Sequence, residues 1–114
     1  MNNALQNKSF RFAVRIVNLC RYLQSEQKEY ILTKQLLRCG TSIGANVAES
    51  QQAQSRPDFI NKLNIALKEA YETNYWLRLL HETQFLNQDE FQSIIRDCQE
   101  IEKLLISIIK SLKE

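Results

Sequence analysis

The chain has one histidine, His81, and that bounds most of the chemistry it could perform. Carboxylate-bridged metal pairs in helical bundles draw a Glu-x-x-His motif from each of two helices, and the residue three before His81 is Arg78. A nucleophilic triad would rest on the same single histidine, and no Gly-x-Ser-x-Gly turn presents a serine to it. Gly40 and Gly44 are flanked by helix formers and follow no strand, which argues against a phosphate-cradling loop. The cysteines, Cys20, Cys39 and Cys98, are odd in number, far apart and set within helical patterns. They read as small buried apolar groups in a reducing cytoplasm. The expectation is no enzyme, no metal and no cofactor.

Charge offers a different chemistry. Residues 1–50 hold seven bases, Lys8, Arg11, Arg15, Arg21, Lys28, Lys34 and Arg38, against Glu26, Glu29 and Glu49, a net of +4 in a chain of net +2. Lys8, Arg11 and Arg15 fall on one helical face, and Lys34 and Arg38 lie one turn apart. Such clusters suit a phosphate backbone, because each neutralised phosphate releases counterions. These five residues are the candidate nucleic-acid contacts. A solvated helix face has the same pattern, but symmetric assembly favours binding, since each patch is then repeated around an axis. Asn46, Glu49, Glu69 and Glu72 lie near apolar faces, where an amide or carboxylate must find partners. They are expected to form a buried polar network that fixes helix register, with a ligand site as the alternative.

The elements that hold these residues are helices. With 114 residues and just two glycines and one proline, the chain has few turn formers, so it reads as a single all-α domain over residues 1–114. A chain of this length buries about 65% of its unfolded surface and needs no disulfide or metal. No run of about 18 apolar residues is present, and MNNALQNKSFRF has no charged segment leading into an apolar one. Neither a membrane span nor a secretory signal is expected, and the location is read as cytoplasmic.

The first helix is expected from about Lys8 to Gln24, with one apolar face through Phe10, Ala13, Val14, Val17 and Cys20 and a second through Phe12, Ile16, Leu19 and Leu23. A short polar connection at residues 25–29 leads into a second helix from about Tyr30 to Ala53. Inside it, Gly40, Gly44 and Ala48 fall four apart, a stripe that suits close approach by a neighbouring helix; the alternative is a loop at residues 39–41. Ser55, Pro57 and Asp58 cap a third helix to about Phe85, with Phe59, Leu63, Ala66, Leu67, Ala70, Asn74, Leu77 and Leu80 as its core stripe. Asn87 to Glu90 repeats the capping logic for a fourth helix that runs to the end. Long helices with short loops predict an antiparallel up-down-up-down four-helix bundle.

The run QLLRCGTSIGANVAE at residues 35–49, then Ser55-Arg56-Pro57-Asp58-Phe59-Ile60 and residues 66–73, ALKEAYET, closely resembles the bacterial four-helix-bundle proteins named after the 23S ribosomal RNA intervening sequences. Lys8-Ser9-Phe10 with residues 13–16, Tyr75 to Leu80 and the ending at residues 108–112 match as well. The resemblance implies a homopentamer with a central channel, and a likeness to the accessory variability determinant of diversity-generating retroelements, a basic pentamer that binds a reverse transcriptase and nucleic acid. It brings no catalytic residues. The present chain departs from the strongly basic retroelement type.

Self-association is also expected from the residues. Phe12, Ile16, Leu19 and Leu23, with Ile65, Trp76 and Leu79 outside the third helix's core stripe, are more apolar surface than one four-helix monomer can hide, and are the expected subunit contacts. The leading expectation is thus a non-enzymatic homo-oligomer associated with RNA or DNA. The partner is alternatively a polypeptide, such as a reverse transcriptase, held on a structural scaffold without nucleic acid.

Overall fold

The computed structural model describes residues 3–114, and side chains from residue 4 onward. Four helices follow in chain order: α1 (Asn3–Gln27), α2 (Leu32–Ser50), α3 (Arg56–Glu82) and α4 (Gln88–Lys113). Each packs chiefly on its neighbour in sequence, so the bundle closes as a square of α1, α2, α3 and α4, with the α1–α4 seam the loosest of the four. The rod is 44 Å long and 21 by 19 Å across. All four helices form as expected, as an all-helical bundle.

Capping explains the boundaries. Ser55 accepts a hydrogen bond from the Asp58 N–H at 3.1 Å with Pro57 in the first turn, and Asn87 and Glu90 form a reciprocal capping box at 2.8 and 3.0 Å. The ends of α1 and α3 use another device. Lys28 and Gln84 adopt φ of 56° and 71°, left-handed values usually given to glycine. Both of the chain's glycines lie elsewhere, inside α2, which continues unbroken through residues 39–41.

That continuity has a packing cause. A Cβ on Gly40 would stand 2.8 Å from Cγ2 and 2.9 Å from Cγ1 of Ile16, and one on Gly44 would stand 3.1 Å from the Ser9 carbonyl oxygen. The glycine stripe thus receives α1 at backbone distance, as the spacing predicts.

The same contact corrects the reading of α1. Its core face is Leu5, Ser9, Phe12, Ile16, Cys20 and Leu23, all buried within the chain, whereas Phe10 is 70% exposed and Val14 is exposed as well. Phe10 and Val14 of the first expected face are thus exposed and Phe12, Ile16 and Leu23 of the second are core, while Cys20 is buried as expected. Positions 5, 9, 12, 16, 20 and 23 keep an unbroken 3.6-residue period over the whole helix, and the stripe through Phe10 does not extend as far. Phe12, Ile16 and Leu23 are therefore core residues and have no surface left for a subunit contact. Leu19, Ile65, Trp76 and Leu79 are half-buried.

Candidate nucleic-acid interface

The five candidate cations do not form one patch. Lys8 Nζ lies 3.4 Å from Glu100, and Arg15 lies 2.6 Å from Asp97 while also donating to Ser93, so both reach across to α4. Arg38 turns the other way, to Glu72 at 2.8 Å and Glu69 at 3.6 Å on α3. The two groups thus sit on opposite seams of the square. Arg11 and Lys34 are exposed and make no ion pair among the described residues. Pairs as open to water as these position side chains more than they stabilise the fold.

The expected polar network divides in the same way. Glu69 and Glu72 are joined through Arg38, and the Trp76 indole N–H donates to Glu72 at 3.1 Å; that bond, with Arg38 behind it, holds the Glu72 carboxyl below its usual range. The second oxygen of Glu69, Oε2, is buried with no hydrogen bond among the described residues. Asn46 instead donates to the Ser42 carbonyl of its own helix at 2.8 Å, and Glu49 is exposed and paired with Lys62 at 3.1 Å. Neither joins the other two. On α2, positions 46 and 49 flank the core stripe rather than lie in it, so the local backbone satisfies Asn46 and Lys62 of α3 pairs with Glu49.

Sequence reasoning missed the most fully bonded carboxylate. Glu29 is buried ahead of α2, and its oxygens accept from the backbone N–H groups of Ile31, Leu32 and Thr33 at 3.0, 3.1 and 2.8 Å. Burial opposes its ionisation, but these bonds outweigh burial and hold the carboxyl below the usual range. Ile31, the residue at the cap position, offers no side-chain acceptor, and Glu29 does that work from two residues upstream. The available signal was a glutamate placed just before a helix with Thr33 four residues on, whose hydroxyl returns a bond to the Glu29 carbonyl at 2.9 Å.

The thiols are not activated as nucleophiles. The three cysteines are free and buried, and desolvation pushes the thiols of Cys20 and Cys39 up to about 12 and about 11 and that of Cys98 higher, so all three stay protonated. His81 stacks flat on Phe91 with centroids 4.1 Å apart. Among the described residues, no group of three or more His, Cys, Asp or Glu is placed to hold a metal ion, and no helix is long and apolar enough to cross a membrane. A cleft of about 380 Å³ opens on the α1–α4 seam, between Leu19, Tyr22 and Arg15 on one side and Leu86, Glu90 and Ile94 on the other.

No curated protein matches the chain. Among solved structures it is similar to a protein of unknown function from the S23 ribosomal protein family of Bacteroides thetaiotaomicron, with 62% identity and a TM-score of 0.92 over 93% of this chain and 98% of that one. The model of the 23S rRNA-intervening sequence proteins matches residues 1–107, and with nearly the whole bundle inside that match, the chain belongs to the 23S rRNA-intervening sequence protein family.

Proposed function

We propose that the chain is a non-enzymatic, self-associating accessory protein of the cytoplasm that holds RNA or DNA by its phosphate backbone. The observation that carries this reading is the way the carboxylates are engaged. Asp97 and Glu100 are held by Arg15 and Lys8, Glu69 and Glu72 by Arg38, and Glu49 by Lys62. Arg11, Arg21 and Lys34 are left exposed without an ion pair among the described residues. Lys8, Arg15 and Arg38 join them as phosphate contacts only by exchanging a carboxylate for a phosphate. Family membership supports the same direction. Titration of RNA and single-stranded DNA against salt tests the reading: affinity should fall steeply as salt rises, and an absence of binding at low salt refutes it.

Assembly is the second part of the proposal. Phe10, Val14 and Leu37 are exposed apolar residues of α1 and α2, and Phe10 shares a groove with Gly44 and Ala48. With half-buried Leu19, Ile65, Trp76 and Leu79, they provide contact surface for a closed ring, of five copies on the family resemblance. The same apolar surface favours the rival reading of a protein-binding scaffold. Light scattering at micromolar concentration should report an oligomer, and a monomer refutes the ring. A pull-down that keeps proteins but no nucleic acid after nuclease treatment favours the scaffold.

A further inference from the structure

The outer face shared by α3 and α4 combines six cations with two exposed tyrosines one turn apart on α3. Lys68 and Arg78 on α3 and Arg96, Lys103, Lys110 and Lys113 on α4 make no ion pair among the described residues. Four acids of these helices are directed elsewhere, Asp97 and Glu100 to α1 and Glu69 and Glu72 to Arg38 of α2. Glu102 lies in the α3–α4 seam itself, where Asn74 donates to it at 3.2 Å. At one end of this face a groove is lined by Asn64 and Leu67 from α3 and by Ile106, Lys110 and Lys113 from α4, with Glu114 at its rim.

One turn along α3 from Leu67 come Tyr71 and then Tyr75, 49% and 50% exposed. Tyr75 is braced. Trp76 meets its ring edge-on, with centroids 5.1 Å apart at 78°, and the Arg78 guanidinium lies 5.9 Å from its centroid. A face that merely keeps the protein in solution has no need of two exposed rings one turn apart. An acidic peptide would be drawn mainly to the cations, and an anionic membrane would take the rings at headgroup level without stacking on them. A strand of unpaired bases uses both, because every base has a π-face and every linkage has a phosphate.

We propose that this face binds a single, unpaired polynucleotide strand, its phosphates on Lys68, Arg78, Arg96, Lys103, Lys110 and Lys113 and its bases stacked on Tyr71 and Tyr75. The proposal rests on the nucleic-acid reading above and moves the principal contact from α1 and α2 to the opposite side of the square. From Arg96 to Lys113 the helix runs about 25 Å at 1.5 Å per residue. That length suits a site of roughly four nucleotides, the lower end for modules that bind single strands.

The test is fluorescence anisotropy with a labelled RNA 12-mer, its DNA counterpart and the duplex of the same sequence, across a salt series. The full chain is compared with Tyr71→Ala, Tyr75→Ala, the double variant Lys103→Glu/Lys110→Glu and the double variant Arg11→Glu/Lys34→Glu. All these positions are exposed, and circular dichroism verifies that helix content is kept. Single strands should bind more tightly than duplex, and loss of either ring should weaken them roughly 5- to 150-fold. Removing Lys103 and Lys110 should lower the slope of log affinity against log salt by about 1.4, at about 0.7 per phosphate contact on a single strand. Emission of Trp76, in contact with Tyr75, should change on binding, and Tyr71→Phe should retain affinity. If the Arg11/Lys34 variant loses binding while the tyrosine and Lys103/Lys110 variants keep it, this inference is wrong and the broader nucleic-acid reading stands. Equal affinity for duplex and single strand overturns the stacking. Binding to anionic vesicles or acidic peptides but to no polynucleotide, or binding to nothing, overturns both.

Discussion

Replacing Gly40 by alanine sets two effects of opposite sign against each other. In a helix interior alanine is favoured over glycine by about 1 kcal/mol. Against this, the new methyl would stand 2.8 and 2.9 Å from Cγ2 and Cγ1 of Ile16. Those atoms belong to a fully buried, β-branched side chain whose χ1 is fixed by its own helix, so relief requires α1 to shift. Overpacking of this kind costs about 1–3 kcal/mol, which leaves a net loss of about 1 kcal/mol, or roughly 4–6 °C in Tm for a domain of this size. Ile16→Ala alone should cost about 2–5 kcal/mol by leaving a cavity. In the double variant the alanine methyl at position 40 occupies part of that cavity. Its cost should then fall short of the sum of the two by about 1 kcal/mol or more. Urea unfolding of the three variants, followed by Trp76 emission, measures the cycle. A raised midpoint for Gly40→Ala, or additivity within about 0.5 kcal/mol, would refute the close approach of α1 and α2 at this point.

Glu29→Gln keeps an acceptor but loses its charge, and should cost about 1 kcal/mol at neutral pH. Because the folded-state pKa of Glu29 is lowered, its contribution is present above the ordinary carboxylate range and lost as pH falls through the folded value. The gap between the two proteins in urea should accordingly close in acid, and a gap that persists there would show that charge is not the cause. Gln84→Gly relieves a left-handed residue that makes no side-chain bond among those described, and should stabilise by about 0.5–1 kcal/mol in thermal melts; a loss would argue against the observed turn. Phe12→Ala should cost about 3–5 kcal/mol, whereas Phe10→Glu should leave helix content intact and shift light scattering towards the monomer. The reverse pattern would restore the sequence-based assignment of the two faces.

The parts of the fold that were legible in the sequence are those decided within a few residues. Ser55 with Asp58 and Asn87 with Glu90 satisfy their own helix ends, so residue type and spacing suffice. The faces of α1 were misread because two apolar stripes run side by side, and the choice between them is made by the glycines of α2 some thirty residues away. Glu29 went unseen as a cap because it lies outside the usual cap position. The charge count failed for a spatial reason. Residues 51–114 are net negative as a string, yet Glu69, Glu72, Asp97 and Glu100 are paired with cations of α1 and α2 while Lys68, Arg78, Arg96, Lys103, Lys110 and Lys113 make no ion pair among the described residues. Faces of a bundle, and not halves of a chain, are the units in which charge is felt.

The loose α1–α4 seam gives the bundle an order of opening. Three of its four helix contacts join sequence neighbours, which form early and quickly in a chain of such low contact order. The fourth joins the two ends of the chain and is stitched by Lys8–Glu100 and Arg15–Asp97, pairs open enough to water for dissolved ions to screen. Amide protons of α1 and α4 along that edge should therefore exchange through partial opening, well before those at the glycine-packed α1–α2 contact and the α2–α3 contact, which exchange by global unfolding. Added salt should widen the difference. The seam is then the edge at which the rod should give first, and the cleft between Leu19 and Leu86 lies on it.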